Sequence, residues 1–246
     1  MSCGSTISQN NTYHVISNFN TVTDPSPCTY TVCPMNNNIC KIRLDFETFT
    51  ISGPATTTLN TADVIIGPSI GDCTTDSFTV TAPGSRSPPT ICGLNTGQHM
   101  YLDSSSACNI LSFNIDRATT VTRSWRVKVT QYDCGSDVPG IVEDCLQYFT
   151  GLSGTIRNFN YDTTKVDSAL ATANTHLSNQ NYNICFRQER GFCSICFSPV
   201  ITNSFSVSAS GNDAEAQSAI SSLCTGSGAY GDYIEVINIF GDYILR

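Results

Sequence analysis

The 246-residue sequence has few charged residues, fewer basic than acidic ones, and no long apolar segment. Charged residues make up 13% of the chain, and 12 lysines and arginines stand against 20 aspartates and glutamates, for a net charge of −8. Nucleic acids and anionic lipids are bound largely through basic clusters, so this balance argues against both as partners. No apolar run approaches the roughly 20 residues of a membrane-spanning helix, so no membrane span is expected.

The chain also offers little that could support catalysis, and it lacks a secretory leader. Its first residues have neither the basic start nor the apolar stretch of a signal peptide, so we expect it to be a fragment or a mature chain. A G-x-S-x-G motif at 67–71 follows a strand-like run, but a loop follows it instead of the helix that a nucleophile elbow requires. With three histidines as candidate bases and none near a convincing carboxylate, we predict that the protein is not an enzyme.

Cysteine is the residue that the chain has in excess. Thirteen are present, and their setting recurs: Tyr-Thr-Val-Cys ends at Cys33 and is followed by Cys40, while Tyr-Asn-Ile-Cys ends at Cys185 and is followed by Cys193. A pattern that returns after roughly 150 residues indicates two copies of one disulfide-stapled domain. Because disulfides persist in oxidising compartments, the cysteines predict an extracellular, secreted protein.

Alternating apolar and polar residues predict an all-β protein. The alternation runs through 42–51, 77–81, 111–115 and 125–129, with Gly, Pro, Asn and Ser between the runs. Several short strands at such spacing indicate a two-sheet sandwich. The one helical candidate is 213–223.

The glycine and proline residues at 136–144 indicate a linker. The sequence therefore predicts a first domain over 1–135 and a second over 145–246.

The order of motifs in the first domain resembles a CUB domain. It runs Cys28-Thr-Tyr-Thr-Val, the strand at 42–51, Cys73-x-x-Asp-x-Phe-x-Val, Cys92-Gly, and Leu-Ser-Phe-Asn-Ile-Asp at 111–116. With the added cysteines and the segment at 177–193, the chain resembles the tandem CUB proteins of arthropods. The resemblance implies two jelly-roll-like β-sandwich domains in tandem. The second is expected to be incomplete, since the cysteine that should follow Cys224 is absent.

The resemblance also implies disulfide pairings and a calcium site. The implied bridges are Cys3–Cys28, Cys73–Cys92, Cys33–Cys40, Cys185–Cys193 and Cys108–Cys134, which leaves Cys145, Cys196 and Cys224 unassigned. Calcium in the family is held by one glutamate and two aspartates. Asp76 and Asp116 match the aspartates, but Ser52 stands where the glutamate belongs. Because calcium requires clustered oxygen ligands, we expect weak binding or none, and no other cofactor.

Two surface features complete the candidate sites. The loop with Phe186, Arg187, Arg190 and Phe192, expected to be pinned by flanking cysteines, predicts a recognition surface because arginine and aromatic residues are enriched at binding hot spots. Asn10, in Asn-Asn-Thr, is a glycosylation sequon.

Together these features predict a non-catalytic extracellular module that binds a protein or a glycan. One alternative is a structural extracellular or cuticle-associated protein. Another is the ancillary region of a secreted protease.

Overall fold

The structure is a computed structural model, and it describes residues 2–55, 58–59, 65–66, 71–84, 86–118, 121–134, 144–161, 176–200, 236–239 and 242–245. Every regular element within these ranges is a β-strand. Across the same ranges there is no helix that could cross a membrane. The predicted all-β class is therefore confirmed.

The chain divides into two compact units. The first comprises Met1–Gln147 and Ile156–Tyr182, and the second comprises Tyr148–Thr155 and Asn183–Arg246. This division differs from the sequence-based one, because residues 145–147 and 156–182 belong with the first unit. Residues 136–143 of the predicted linker, positions 67–70 of the G-x-S-x-G motif and the helical candidate at 213–223 lie outside the described residues.

The first unit is a jelly-roll-like sandwich of two four-stranded sheets beside a small two-stranded one. Its strands are β1 (Thr6–Ile7), β2 (Thr12–Ile16), β3 (Cys28–Val32), β4 (Ile39–Thr50), β5 (Thr58–Leu59), β6 (Ile65–Ile66), β7 (Ser77–Thr81), β8 (His99–Asp103), β9 (Asn109–Asn114) and β10 (Ser124–Asp133). One sheet has the order β1-β3-β9-β7 and the other β2-β10-β4-β8, while β5 pairs with β6. Apart from the parallel pair β1–β3, neighbouring strands are antiparallel.

Aromatic side chains fill the space between the two large sheets. The Trp125 ring stacks on Phe113 at a centroid distance of 4.0 Å, and its indole N–H donates to the Tyr30 hydroxyl at 3.1 Å. Phe49 and Phe78 meet edge to face at 5.5 Å. Trp125, Phe113 and Phe78 occupy apolar positions of the alternating runs, so the sequence pattern placed them on the inner faces. Phe49 is out of phase with Phe46 and faces inward because the pairing of β4 with β10 shifts register between them.

A segment from beyond the predicted linker completes the first unit. Phe159 and Leu177 are buried in the same hydrophobic cluster as the sandwich core. The Asn160 side-chain oxygen accepts from the Leu94 N–H at 3.2 Å, and the Asn160 N–H donates to the Asn95 side chain at 2.8 Å. The stretch after β10 thus contributes core residues to the first sandwich.

The second unit is built on a sheet of order β11-β12-β14-β13. Its strands are β11 (Cys145–Phe149), of which the last two residues belong to this unit, β12 (Asn183–Phe186), β13 (Val236–Ile239) and β14 (Asp242–Leu245). β14 pairs antiparallel with both β12 and β13. The Phe149 and Phe186 rings stack at 5.8 Å.

The disulfides agree with the implied pairings at two places and differ at three. Cys3 joins Cys28, and Cys73 joins Cys92, as the resemblance implies. The implied Cys33–Cys40, Cys108–Cys134 and Cys185–Cys193 bridges are wrong. The structure joins Cys33 to Cys108 and Cys40 to Cys134, and it has Cys185 buried and disulfide-bonded while Cys193 is an exposed thiol.

The physical reason lies in the sheet to which each strand belongs. β3 and β4 lie in different sheets, so the chain between Cys33 and Cys40 crosses the sandwich instead of closing a hairpin. Val32 pairs with Asn109, which brings Cys33 next to Cys108. The Cys134 N–H donates to the Asn38 carbonyl at 2.7 Å, which brings Cys134 next to Cys40.

Candidate functional site

Asp76 and Arg123 form a buried ion pair at one end of the first sandwich. Asp76 precedes β7 and Arg123 precedes β10, and both side chains are 0% exposed. The Arg123 Nε lies 2.6 Å from Asp76 Oδ2, and its Nη2 lies 3.0 Å from Oδ1. This two-point contact is the geometry in which an arginine and a carboxylate bind most specifically.

The ion pair also connects the loops at this end of the sandwich. Asp76 accepts the backbone N–H groups of Ser52 at 2.7 Å and Asp116 at 3.0 Å. Arg123 donates to the carbonyls of Asp116 at 2.9 Å and Val121 at 3.2 Å. The loops after β4, before β7 and between β9 and β10 are therefore held by one pair of charges.

The residues implied as calcium ligands do not fit a calcium ion. Each Asp76 oxygen already accepts one backbone N–H and one guanidinium N–H. Ser52 presents its backbone N–H toward the carboxylate, and an amide N–H has no lone pair to offer a metal. One Asp116 oxygen accepts the Ala118 N–H at 2.9 Å. The described ranges contain no group of three or more His, Cys, Asp or Glu side chains that could hold a metal ion.

Sequence reasoning missed Arg123, although a signal was present. The alternating run that places Trp125 and Val127 on the inner face also includes position 123, two residues earlier. A charged residue at an inward position should have a partner of opposite charge, because an unpaired buried charge is strongly destabilising. Extending the alternation by one step would have identified the pair.

Next to the ion pair, Arg117 joins two exposed loops. Its Nη1 and Nη2 donate to the carbonyls of Thr21 and Asp24, both at 2.7 Å. Val22 and Val121 are exposed on these loops. This end of the first unit therefore presents small apolar side chains on ordered backbone.

The predicted recognition loop of the second unit is a tight turn. The Phe192 N–H donates to the Glu189 carbonyl at 3.2 Å, and Gly191 has a φ of 85°, the left-handed conformation that a type II turn requires at its third position. Arg187, Arg190 and Phe192 are exposed. Phe186, by contrast, is buried, because it ends β12 facing inward and its ring contacts Phe149 and Phe197.

A carboxylate keeps this turn ordered. Glu189 Oε1 accepts the Gly151 N–H at 2.7 Å and the Arg187 Nη2 at 2.8 Å. The Gly151 hydrogen bond and then the Arg187 hydrogen bond lower the pKa of Glu189, so it is ionised at neutral pH. The turn is thus ordered by hydrogen bonds of its own backbone and of Glu189.

The Asn10 side chain of the sequon is engaged in the sheet. Its Oδ1 accepts the Gln131 N–H at 2.7 Å, and its Nδ2 donates to the Gln131 carbonyl at 3.0 Å. Thr12 of the same sequon is buried. The side-chain amide of the sequon asparagine is therefore held against β10 by both of its polar atoms.

Comparison with known proteins finds a family match in the second half of the chain. Residues 142–242 match the family model described as the animal CUB domain. No curated protein sequence matches the chain. The match lies in the second half of the chain, whereas the sequence resemblance to a CUB domain was fullest in the first half.

Solved structures similar to the chain also include CUB domains. The crystal structure of the MASP-1 CUB2 domain bound to Ca2+ has 19% identity and a TM-score of 0.35, with 52% of this chain and 98% of that chain covered. The full extracellular region of zebrafish Gpr126/Adgrg6 has 16% identity and a TM-score of 0.36, with 54% of this chain and 15% of that chain covered. The CUB1-EGF-CUB2 domains of rat MASP-1 have 14% identity and a TM-score of 0.32, with 80% of this chain and 79% of that chain covered.

Proposed function

We propose that this chain is a non-catalytic, extracellular recognition module of the CUB type that binds another protein or a glycan. The observation that carries the proposal is the match of residues 142–242 to the animal CUB domain. Disulfides in the first unit support an extracellular location, because such bonds persist in oxidising compartments. The tandem arrangement of the arthropod type is part of this proposal.

The binding surface that we propose lies on the second unit, around the turn Glu189–Phe192. Arg187, Arg190 and Phe192 are exposed there, and Leu152 is 72% exposed on the neighbouring loop that Gly151 ties to Glu189. Arginine and aromatic side chains dominate binding energies at interfaces. Because the turn is already ordered by its own hydrogen bonds, little conformational entropy would be lost on binding.

The test is binding of the full, oxidised chain, immobilised, to extracellular fluid proteins and to a glycan array. We expect a saturable partner whose affinity falls about tenfold or more in the variants Arg190→Glu and Phe192→Ser, since loss of a hot-spot residue weakens binding by that factor. The matched control is Val22→Ser, which removes an exposed apolar side chain from the first unit.

The outcome decides where recognition occurs. Equal binding by the wild type, Arg190→Glu and Phe192→Ser would place the contact elsewhere and reject the proposed surface. Binding that Val22→Ser abolishes would move it to the loop end of the first unit. Absence of any saturable partner in both screens would reject the recognition function itself.

A further inference from the structure

The oxygen atoms around the Arg123 guanidinium resemble those around a bound metal ion. It is fully buried, as is its partner Asp76. Its guanidinium contacts one carboxylate and two backbone carbonyls, all of them oxygen acceptors. A divalent metal in a protein loop is surrounded by the same types of oxygen.

We propose that Arg123 serves as a built-in cation in the first unit, so that this loop end is assembled without a divalent metal. The positive charge comes from the chain itself and cannot dissociate, because a guanidinium remains protonated at all physiological pH values. Like a metal, it holds together segments that are distant in sequence. Arg123 joins its own loop to Asp76, and Asp76 in turn binds the Ser52 N–H of the loop after β4. This inference concerns the first unit alone and does not depend on what the chain binds.

The geometry leaves no role for a metal beside the pair. A cation approaching Asp76 would have to displace the guanidinium from both carboxylate oxygens, which lie 2.6 and 3.0 Å from its nitrogens. The displaced arginine would then be buried next to another positive charge. Since breaking a buried ion pair is strongly unfavourable, calcium should not compete at millimolar concentration.

The first experiment measures thermal unfolding and binding heat of the wild-type chain in EGTA and in calcium chloride up to several millimolar. We expect unchanged melting temperatures and no saturable heat. Saturable calcium binding that raises the melting temperature, and that is lost in Asp76→Asn, would overturn the proposal. This arm requires no variant of Arg123 and is therefore decisive even if such variants fail to fold.

The second experiment separates the charge of Arg123 from its packing. Arg123→Gln leaves the Asp76 carboxylate buried without a counter-charge, and we expect the melting temperature to fall by about 10 °C. The double variant Arg123→Gln with Asp76→Asn removes both charges, so it should recover part of that loss. The control is Arg126→Gln, whose ion pair with Glu47 is exposed and should shift melting by no more than about 2 °C. An Arg123→Gln variant as stable as Arg126→Gln would overturn the proposal.

Discussion

Among the buried polar residues of the first unit, His14 shows how burial acts on a single titratable group. Its ring lies 4.2 Å from the Tyr30 ring, and within the described residues neither ring nitrogen has a hydrogen-bond partner. Burial, and secondarily the positive charge of the amino terminus, lowers the pKa of His14 to about 4. The residue is therefore neutral in the folded protein throughout the physiological range.

This burial predicts a loss of stability in mild acid. The unfolded chain binds a proton at His14 below about pH 6.5, whereas the folded chain does so only near pH 4. Unfolding thus takes up a proton between these values, and the free energy of unfolding should fall by about 3 kcal/mol as the pH drops from 6.5 to 4. Urea denaturation at several pH values measures this dependence.

The matched variants are His14→Leu and His176→Leu. His14→Leu removes the buried group and should flatten the profile between pH 4 and 6.5, whereas His176 is exposed and its replacement should leave the slope unchanged. If His14→Leu kept the full wild-type slope, burial of His14 would not be its source.

At Gly93 there is no room for a side chain larger than hydrogen, because Asn160 lies against it. Its φ is 78°, and a Cβ at this position would lie 1.8 Å from the Asn160 side-chain oxygen. Gly97 has a similar φ of 83°, but a Cβ there would meet nothing within 4 Å. The two glycines thus share the backbone strain of a substitution and differ in the steric clash.

We expect Gly93→Ala to destabilise the first unit by clearly more than Gly97→Ala, which should cost about 1 kcal/mol from backbone strain alone. Adding Asn160→Gly should relieve the excess in Gly93→Ala, because it removes the clashing side chain and suits the Asn160 φ of 65°. Thermal unfolding of the single and double variants measures this coupling. Equal effects of the two alanine substitutions would show that residue 160 does not lie against Gly93.

At the scale of elements, the crossing from β3 to β4 decides the disulfide pattern. The two strands are consecutive in the chain but lie in opposite sheets. Cysteines at the ends of the crossing therefore bond to spatial neighbours just before β9 and just after β10, and not to each other. The resulting bridges close segments of 75 and 94 residues, long enough to restrict the unfolded chain strongly.

This pattern predicts the thiols that single substitutions release. Cys33→Ala should expose a thiol at Cys108, and Cys40→Ala one at Cys134, as read by alkylation and peptide mass mapping without reduction. Replacing both Cys33 and Cys108 by alanine should lower the free energy of unfolding by about 4 kcal/mol in the chain-entropy model. If Cys33→Ala instead released the thiol of Cys40, the Cys33–Cys40 pairing implied by the sequence would be correct.

At the scale of the whole molecule, the first unit draws on chain that lies beyond the predicted linker. Leu146, Phe159 and Leu177 are buried in its hydrophobic cluster. The Ser178 N–H donates to the Gly71 carbonyl at 2.9 Å, and the Gln180 side chain donates to the Thr90 carbonyl at 3.0 Å. A fragment that stops at residue 135 lacks all of these contacts.

We therefore expect the fragment 1–182 to melt higher than the fragment 1–135, by about 5 °C or more. Each large apolar side chain buried contributes roughly 1.5–3 kcal/mol, which exceeds the ordering entropy of the few residues that make contact. In a second comparison, Phe159→Ala in the 1–182 fragment should lower its melting temperature most of the way to that of the 1–135 fragment. Equal melting of the two fragments would show that residues 145–182 add nothing to the first unit.

The sequence by itself determined the all-β class, the sandwich, and the inner faces of its strands apart from the register shift in β4. Alternation at 42–51, 77–81, 111–115 and 125–129 is a local property, since successive side chains of any strand point to opposite sides. The strands β4, β7, β9 and β10 formed where that pattern lay. The cysteines likewise indicated disulfides before any fold was known, because their number and recurrence do not depend on topology.

Only the tertiary structure decided which distant groups meet. Pairing of Cys33 with Cys108, of Asp76 with Arg123 and of Leu94 with Asn160 joins positions 75, 47 and 66 residues apart. Such contacts depend on which sheet each strand joins and on where a later segment returns, and neither is encoded in local periodicity. For that reason the sequence could place Asp76 only in an incomplete calcium site with weak binding or none, whereas the fold pairs the same carboxylate with Arg123.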